Sequence, residues 1–179
     1  MGAEAVEFNL ETLAWLSCPS APELQELAAR YIRDGFNQYA PMPGALALRE
    51  RIAEIIQTCY GVKYDIESEI TVTAGATQGV YTCLATLIRP GDEVIVFEPA
   101  YDCYVPAIEV HGGVPVISAL NAQTFSIDWQ DVRQKLSPRT RAILINSPHN
   151  PTGAIISRED LQELATIVRN TDIVIVSDE

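Results

Sequence analysis

The chain has 179 residues, of which 47% are apolar and 20% are charged, and its formal net charge is −12. This composition is ordinary for a globular protein with a sizeable core, and the acidic excess argues against nucleic acid as a partner, because phosphate backbones bind clustered Lys and Arg. No apolar run approaches the roughly 18 residues of a membrane span, and the first residues carry glutamate where a signal peptide requires positive charge. We therefore expect no membrane partner and a cytoplasmic location.

Cysteine and histidine do not form a metal-binding pattern in this chain. The four cysteines have no CxxC spacing, and the two histidines have no cluster of further ligands around them. The sequence therefore predicts no metal site. Three of the four cysteines fall in apolar segments, and we expect them to be reduced thiols buried in a core. The cysteines are Cys18, Cys59, Cys83 and Cys103.

Two helices are predicted before the first strand. Residues 22–34 have apolar side chains at helical spacing, with Pro22 in the first turn and Gly35 at the end. A loop that contains proline and glycine follows, and residues 44–60 form the second predicted helix.

From residue 69 onward, short apolar strands alternate with helical segments. Asp128 is a predicted N-cap, and Pro106 is expected to bend or delay the helix that contains it. The strands are apolar throughout rather than alternating, which favours a mostly parallel sheet with helices on both faces, a three-layer α/β fold. The predicted strands are residues 69–75, 93–99, 114–119, 141–146 and 172–178, and the predicted helices are residues 77–88, 100–113, 128–136 and 157–170.

Ligands on such sheets bind at the carboxyl ends of the strands, and two of these ends lie in the middle of the chain. In "AGATQ", Ala74 to Gln78, small residues lead into a helix whose first backbone N–H groups favour an anion such as phosphate. An ordinary helix cap is the alternative. In "EPAY", Tyr101 follows a proline turn, where its ring would stack on a flat heterocycle or simply lie at the surface.

Two further strand ends lie closer to the C-terminus. "NSPHNPTG" holds Asn150 between His149 and Pro151, which restricts the backbone direction, so the Asn150 amide would donate to a ligand from a fixed position. A plain turn is the alternative. Asp178 ends an apolar strand, and a buried carboxylate there requires a cationic partner such as a ligand nitrogen, unless it is exposed.

Phosphate donors, a stacking ring, an amide and a carboxylate on successive strand ends together indicate pyridoxal phosphate. The sequence resembles the class I/II aminotransferases of the fold-type I pyridoxal-phosphate enzymes, and within them the methionine, aromatic and kynurenine–glutamine transaminase group. The resemblance covers about residues 20–179. The matching pieces are "NQYAPMPGALALRERIA", "TVTAGATQGVYTCLATLIRPGDEVIVFEPAYDCY", "NSPHNPTG" and "IVIVSDE".

This resemblance implies a role for each candidate residue. Ala76, Thr77 and Gln78 match the positions that hold the cofactor phosphate, and Tyr101 matches the aromatic residue that stacks on the pyridine ring. The resemblance also implies a cis bond among the prolines of "NSPHNP".

Asn150 matches the asparagine that hydrogen-bonds the ring hydroxyl, beside the site of the substrate carboxylate. Asp178 matches the aspartate that pairs with the pyridine nitrogen and keeps it protonated. Tyr39 matches a tyrosine that reaches the cofactor phosphate of the partner subunit, which implies a homodimer. The implied domains are residues 1–35, an N-terminal arm and helix of the small-domain region, and residues 36–179, an incomplete cofactor-binding large domain.

The resemblance also implies amino-acid and 2-oxo-acid substrates, between which an α-amino group is transferred. The family's Schiff-base lysine lies some tens of residues after the position of Asp178, beyond Glu179, and neither Lys63 nor Lys135 matches it. We therefore expect negligible transaminase activity from this chain alone. Residues 8–24 lack the glycine-containing loop of the family. A C–S lyase or synthase of the same fold, or a non-catalytic cofactor-binding regulatory module, remains the alternative.

Overall fold

The computed structural model describes residues 22–179. Cys18 lies outside these residues, and so does most of the stretch over residues 8–24 that lacks the family's glycine-containing loop. The chain divides into two compact units, residues 1–45 and residues 46–179. The described part of the first unit holds helix α1, Pro22–Arg33, with proline at its first position as predicted. The helix ends at Arg33, and two residues later Gly35, whose φ is +90°, lets the chain turn away while the Phe36 amide donates to the Tyr31 carbonyl.

The second unit contains the alternating elements that the sequence predicts. Its strands agree with the predicted ones to within two residues at each end, apart from the segment discussed below. Its elements are α2 (Leu46–Tyr60), α3 (Ala76–Leu87), β1 (Glu93–Glu98), α4 (Tyr104–Val110), β2 (Val114–Ala119), α5 (Trp129–Lys135), β3 (Thr140–Asn146), α6 (Arg158–Val168) and β4 (Val174–Asp178).

The four strands form one parallel sheet in the order β2-β1-β3-β4. Successive side chains of β1 and β3 point to opposite faces, and both faces are covered by helices. On one face, residues of α3 and α4 pack against Val94, Val96 and Leu144. On the other, residues of α5 and α6 pack against Ile95 and Ile143. The predicted three-layer α/β fold is therefore confirmed.

The two helices on the second face of the sheet, α5 and α6, each start at a residue whose side chain caps the helix. Asp128 accepts hydrogen bonds from the backbone N–H groups of Gln130 and Asp131, which confirms its prediction as an N-cap. Ser157 and Asp160 form a capping box, in which each side chain accepts from the other residue's amide. These caps set where α5 and α6 start after their loops.

The predicted strand over residues 69–75 is wrong for the described chain. Its β-branched residues favour extended backbone, but a strand needs a neighbour to bond its N–H and C=O groups, and this segment joins no ladder within residues 22–179. Its last residues form a turn instead, in which the Gly75 amide and the Thr73 hydroxyl bond across the bend. The segment therefore enters α3 as a turn and not as a strand.

Two smaller expectations also need correction. The helix predicted over residues 100–113 covers only Tyr104–Val110, and its late start is the one that Pro106 predicts, since proline lies in the first turn, where a missing N–H costs little. Cys59 and Cys83 are exposed free thiols and Cys103 is partly buried, so the expected burial is wrong for the first two. Their sides of α2 and α3 are not covered by another element of residues 46–179.

Within residues 22–179, none of the helices is both long and apolar enough to cross a lipid bilayer.

Candidate cofactor-binding site

The carboxyl ends of the parallel strands lie along one edge of the sheet. In the strand register, Glu98 at the end of β1 is opposite Ala119 at the end of β2, and Asn146 at the end of β3 is opposite Asp178 in β4. The loops that follow β1 and β3 therefore open on the same edge as the end of β4. This edge holds Tyr101, Asn150 and Asp178, three of the residues that the sequence singles out.

The first turn of α3 has free backbone donors. Gly75 stands at the N-cap with φ 84° and ψ 166°, a conformation that residues with a side chain rarely adopt, and no side chain caps the helix. The first N–H groups of a helix lack intrahelical partners and carry the positive end of its dipole. The turn of Ala76, Thr77 and Gln78, all exposed, therefore offers a place for an anion. Gln78 also braces the turn, since its Oε1 accepts from the Ala74 amide at 2.5 Å.

Tyr101 lies next to this turn. Its hydroxyl is 3.4 Å from the Thr77 hydroxyl oxygen. Its ring packs edge-on against the ring of Tyr104, with centroids 5.8 Å apart and planes at 71°. Tyr101 is half-buried, so part of its ring remains open to a ligand. The structure therefore brings the start of α3 and the loop after β1 together.

Tyr104 connects this group to Asp178, and sequence reasoning missed it. Tyr104 begins α4, is 2% exposed, and donates its hydroxyl to Oδ2 of Asp178. Burial, followed by the hydrogen bond to Asp178, raises the pKa of the Tyr104 hydroxyl far above its usual range, so the group stays a donor. The sequence does contain a signal for this residue: Tyr104 is a second tyrosine, after Tyr101, on a helix whose apolar face must be buried. A buried tyrosine hydroxyl needs a hydrogen-bond partner, so such a residue is a candidate for a contact with a polar group.

Asn146 ties the loop after β3 to the end of β4, and it too was missed. Its side-chain nitrogen, Nδ2, donates to the Asp178 backbone carbonyl at 2.8 Å, and its side-chain oxygen, Oδ1, accepts from the Asn150 backbone N–H at 2.6 Å. The Ser147 amide donates to the same Asp178 carbonyl at 3.1 Å. Asn150 itself is exposed, so its side chain is accessible to a ligand.

His149 braces the same loop from inside. It is 9% exposed, and its Nδ1 lies 2.8 Å from the Thr152 hydroxyl oxygen. Burial lowers the pKa of His149 below its ordinary value, against the smaller effect of a hydrogen bond to the Pro99 backbone. The peptide bonds Glu98–Pro99, Ser147–Pro148 and Asn150–Pro151 are cis, so the expected cis bond is present.

The lowered pKa of His149 predicts a loss of stability in weak acid. The unfolded chain binds a proton as the pH falls through the ordinary value of 6.5, whereas folded His149 resists protonation until a lower pH. The free energy of unfolding is therefore expected to be fully retained above pH 6.5. It should fall below that pH by at most about 1.4 kcal/mol per pH unit, until the folded pKa is reached. Urea unfolding of the chain between pH 7.5 and 5.5 measures this.

The matched control is His149→Gln, which removes the titrating ring but keeps a polar side chain. Its free energy of unfolding should depend less on pH in this window, since His111 remains in both proteins. Equal pH dependence in the two proteins would contradict a role for His149.

A continuous series of contacts thus joins four predicted residues at one edge of the sheet. It runs from Thr77 to Tyr101, through Tyr104 to Asp178, and through Asn146 to Asn150. The roles of these residues toward a ligand stay predictions.

Tyr39, Lys63 and Lys135 are the remaining residues that the sequence analysis considers. Tyr39 belongs to the first unit and is fully exposed, and its predicted role toward a partner subunit stays a prediction. Lys135 ends α5 and pairs with Asp131, just before the turn whose Ser137 hydroxyl bonds Glu93 at the opposite end of β1. Lys63 lies in the segment after α2. Among residues 22–179, no group of three or more His, Cys, Asp or Glu could hold a metal ion.

A parallel sheet with anion donors, an aromatic ring and a carboxylate at its carboxyl edge defines an α/β protein that binds a ligand across its strand ends. The sequence profile of the family described as "Aminotransferase class I and II" matches residues 17–179. The chain therefore belongs to the class I and II aminotransferase family, whose members are pyridoxal-phosphate-dependent.

Individual relatives agree with this assignment. The chain is 45% identical over 156 residues to the methionine aminotransferase of Escherichia coli (strain K12), and this alignment covers 87% of this chain and 40% of the relative. It is 40% identical over 162 residues to the probable N-succinyldiaminopimelate aminotransferase DapC of Mycobacterium tuberculosis, with 88% and 40% covered. A crystal structure from Escherichia coli, reported with a methionine aminotransferase function, superposes with a TM-score of 0.88 at 43% identity, covering 91% of this chain and 43% of that one. The chain thus spans about 40% of the length of the curated relatives it matches.

Proposed function

We propose that the protein acts as a pyridoxal-phosphate-dependent aminotransferase, which transfers an α-amino group from an amino acid to a 2-oxo acid. The series of contacts from Thr77 to Asn150 is the observation that carries this proposal, because it gathers the family's candidate cofactor groups at one edge of the sheet. Within the protein, residues 36–179 would form part of the cofactor-binding domain, and residues 1–35 would belong to the small-domain region.

The chemistry of the described residues fits pyridoxal phosphate group by group. The uncapped turn of α3 and the Thr77 hydroxyl are donors for the phosphate. The exposed part of the Tyr101 ring is a surface for an aromatic ring. Oδ1 of Asp178 accepts no hydrogen bond from residues 22–179, so it remains available to a protonated ring nitrogen.

Each residue would have a separate part in the reaction. Thr77 and the α3 turn anchor the phosphate, Tyr101 fixes the plane of the ring, and the Asp178 carboxylate stabilises positive charge on the ring nitrogen. Asn150 donates its amide to the ring hydroxyl and helps to shape the place for the substrate carboxylate. Bound pyridoxal phosphate supplies the electron sink that makes the chemistry at the substrate's α-carbon possible.

The partners follow from the same family assignment. A second copy of the chain would complete the site, with Tyr39 reaching the phosphate held by the partner subunit. The relative at 45% identity is named a methionine aminotransferase, so methionine is the first amino donor to test. The named cofactor groups bind the cofactor and do not choose the side chain of the amino acid.

The cofactor part of the proposal is tested with pyridoxamine 5′-phosphate, because this ligand binds without a covalent bond to lysine. We expect it to bind the chain at least about 10-fold more tightly than pyridoxamine, since charge-assisted hydrogen bonds to an anion are worth about 1.5–3 kcal/mol each. Ligand fluorescence titration measures both affinities.

Thr77→Val is the matched variant for this test, because it keeps the size of the side chain and removes the hydroxyl. It is expected to weaken binding of pyridoxamine 5′-phosphate about 3- to 10-fold and to leave pyridoxamine binding unchanged. Equal affinity of the chain for the two ligands would show that the α3 turn does not hold the phosphate. Formation of a 2-oxo acid from methionine, measured on the full-length gene product, tests the transfer itself.

A further inference from the structure

We infer that Tyr104 is a positioning residue for Asp178: its hydroxyl holds one carboxylate oxygen, Oδ2, and thereby presents the other, Oδ1, to the ring nitrogen of the cofactor. This inference rests on the proposed function, and it assigns a role to a residue that itself contacts neither cofactor nor substrate.

The position of Tyr104 is set by the core of the sheet. Its ring is 2% exposed and belongs to the apolar cluster formed by α3, α4, β1 and β3, which includes Leu84, Val96 and Leu144. The edge-on contact with Tyr101 restrains the ring from the ligand side. A buried ring packed on both sides holds its hydroxyl in one place at no further cost in side-chain entropy.

The position of Asp178 is set from two directions. Its carbonyl accepts hydrogen bonds from the Asn146 side chain at 2.8 Å and the Ser147 amide at 3.1 Å, which fix its backbone. Its side chain retains rotation about two bonds, and the Tyr104 hydroxyl is the group that binds Oδ2. Among residues 22–179, no group donates to Oδ1. Without Tyr104, the carboxylate would turn toward water and would have to be reoriented on each binding event.

The hydroxyl stays a donor throughout the working range of pH, because burial raises the pKa of Tyr104. A residue that does not touch the ligand can strengthen binding in this way, because a carboxylate that is already held in the binding orientation loses less entropy when the ligand binds.

Replacing a purely structural tyrosine would lower stability but would not change the affinity for the ligand or the protonation of its ring nitrogen. The test therefore measures these two properties of the bound ligand. The proteins are the chain, Tyr104→Phe and Tyr60→Phe, which removes a hydroxyl from a tyrosine that is 72% exposed at the end of α2. The probe is pyridoxamine 5′-phosphate labelled with ¹⁵N in its ring. Its dissociation constant is measured by fluorescence, and the protonation of its ring nitrogen is followed by NMR as the pH is raised.

Tyr104→Phe is expected to weaken binding about 3- to 10-fold and to release the ring proton at a lower pH than the unchanged chain does. Tyr60→Phe should match the unchanged chain in both. In an Asp178→Asn background, Tyr104→Phe should have no further effect on affinity, because its influence passes through the carboxylate.

Unchanged affinity and unchanged ring-nitrogen titration in Tyr104→Phe would overturn the inference, and so would release of the ring proton at a higher pH. If Asp178→Asn still weakened binding, the proposed function would stand in those cases. Failure of the unchanged chain to bind the probe would overturn both. If Tyr104→Phe does not fold, Tyr104→His carries the test, because its shorter ring cannot reach Oδ2 of Asp178. Weaker binding of the probe with release of the ring proton at a lower pH supports the inference, and any other result in this variant contradicts it.

Discussion

Asp178→Asn is expected to weaken binding of pyridoxamine 5′-phosphate about 10- to 100-fold, the largest effect of a single substitution at the candidate site. The substitution keeps the shape of the side chain and its place at the end of β4, opposite Asn146. It removes the negative charge that would pair with a protonated ring nitrogen, and a hydrogen bond to a charged group is worth about 1.5–3 kcal/mol. Fluorescence titration measures the loss, and the ring nitrogen should lose its proton at a lower pH.

Asp172→Asn is the matched control for this experiment. Asp172 is exposed in the turn before β4, at the opposite end of the same strand, so its replacement changes the net charge equally. We expect its affinity to stay within about 2-fold of the unchanged chain, since exposed charges are screened by salt. Equal losses in the two variants would mean that overall charge, and not a pair with the cofactor, sets the affinity.

Leu84→Ala is expected to lower the free energy of unfolding by about 2–5 kcal/mol. Leu84 lies in the last turn of α3, is fully buried, and packs in the cluster that covers one face of the sheet. Truncation removes apolar contacts and leaves a cavity that a helix held against a sheet cannot easily close. Urea unfolding followed by circular dichroism measures the change.

Leu161→Ala provides the comparison on the other face, because Leu161 is 48% exposed on α6. A loss below about 1 kcal/mol is expected there. Similar losses at both positions would show that α3 is not packed on the sheet as described, and the placement of its N-terminal turn beside Tyr101 would then be in doubt.

The sequence identifies most of the elements because each carries its own local signal. Asp128 caps α5 as predicted, Pro22 begins α1, and the uniformly apolar strands indicate a sheet covered on both faces. These features depend on backbone geometry and on burial of neighbouring side chains, which short stretches of sequence encode. The segment over residues 69–75 shows the limit, since its residues favour a strand but pairing depends on a neighbour that residues 22–179 do not provide.

The residues of the candidate site likewise fall into those that the sequence identifies and those that only the structure shows. The sequence points to Thr77, Tyr101, Asn150 and Asp178 because each follows a local pattern at the end of an element. It does not point to Tyr104 or Asn146, whose hydrogen bonds join segments far apart in the chain. Tyr104 is separated from Asp178 by 74 positions in the sequence, and Asn146 by 32.

The amino-acid sequence by itself determined the class of fold, the family and the candidate residues, since these rest on patterns within single segments. Only the tertiary structure decided which of those residues meet and which side chains hold them. Contacts between distant segments depend on the register and order of the strands, and parallel pairing brings the ends of β1, β3 and β4 to one edge.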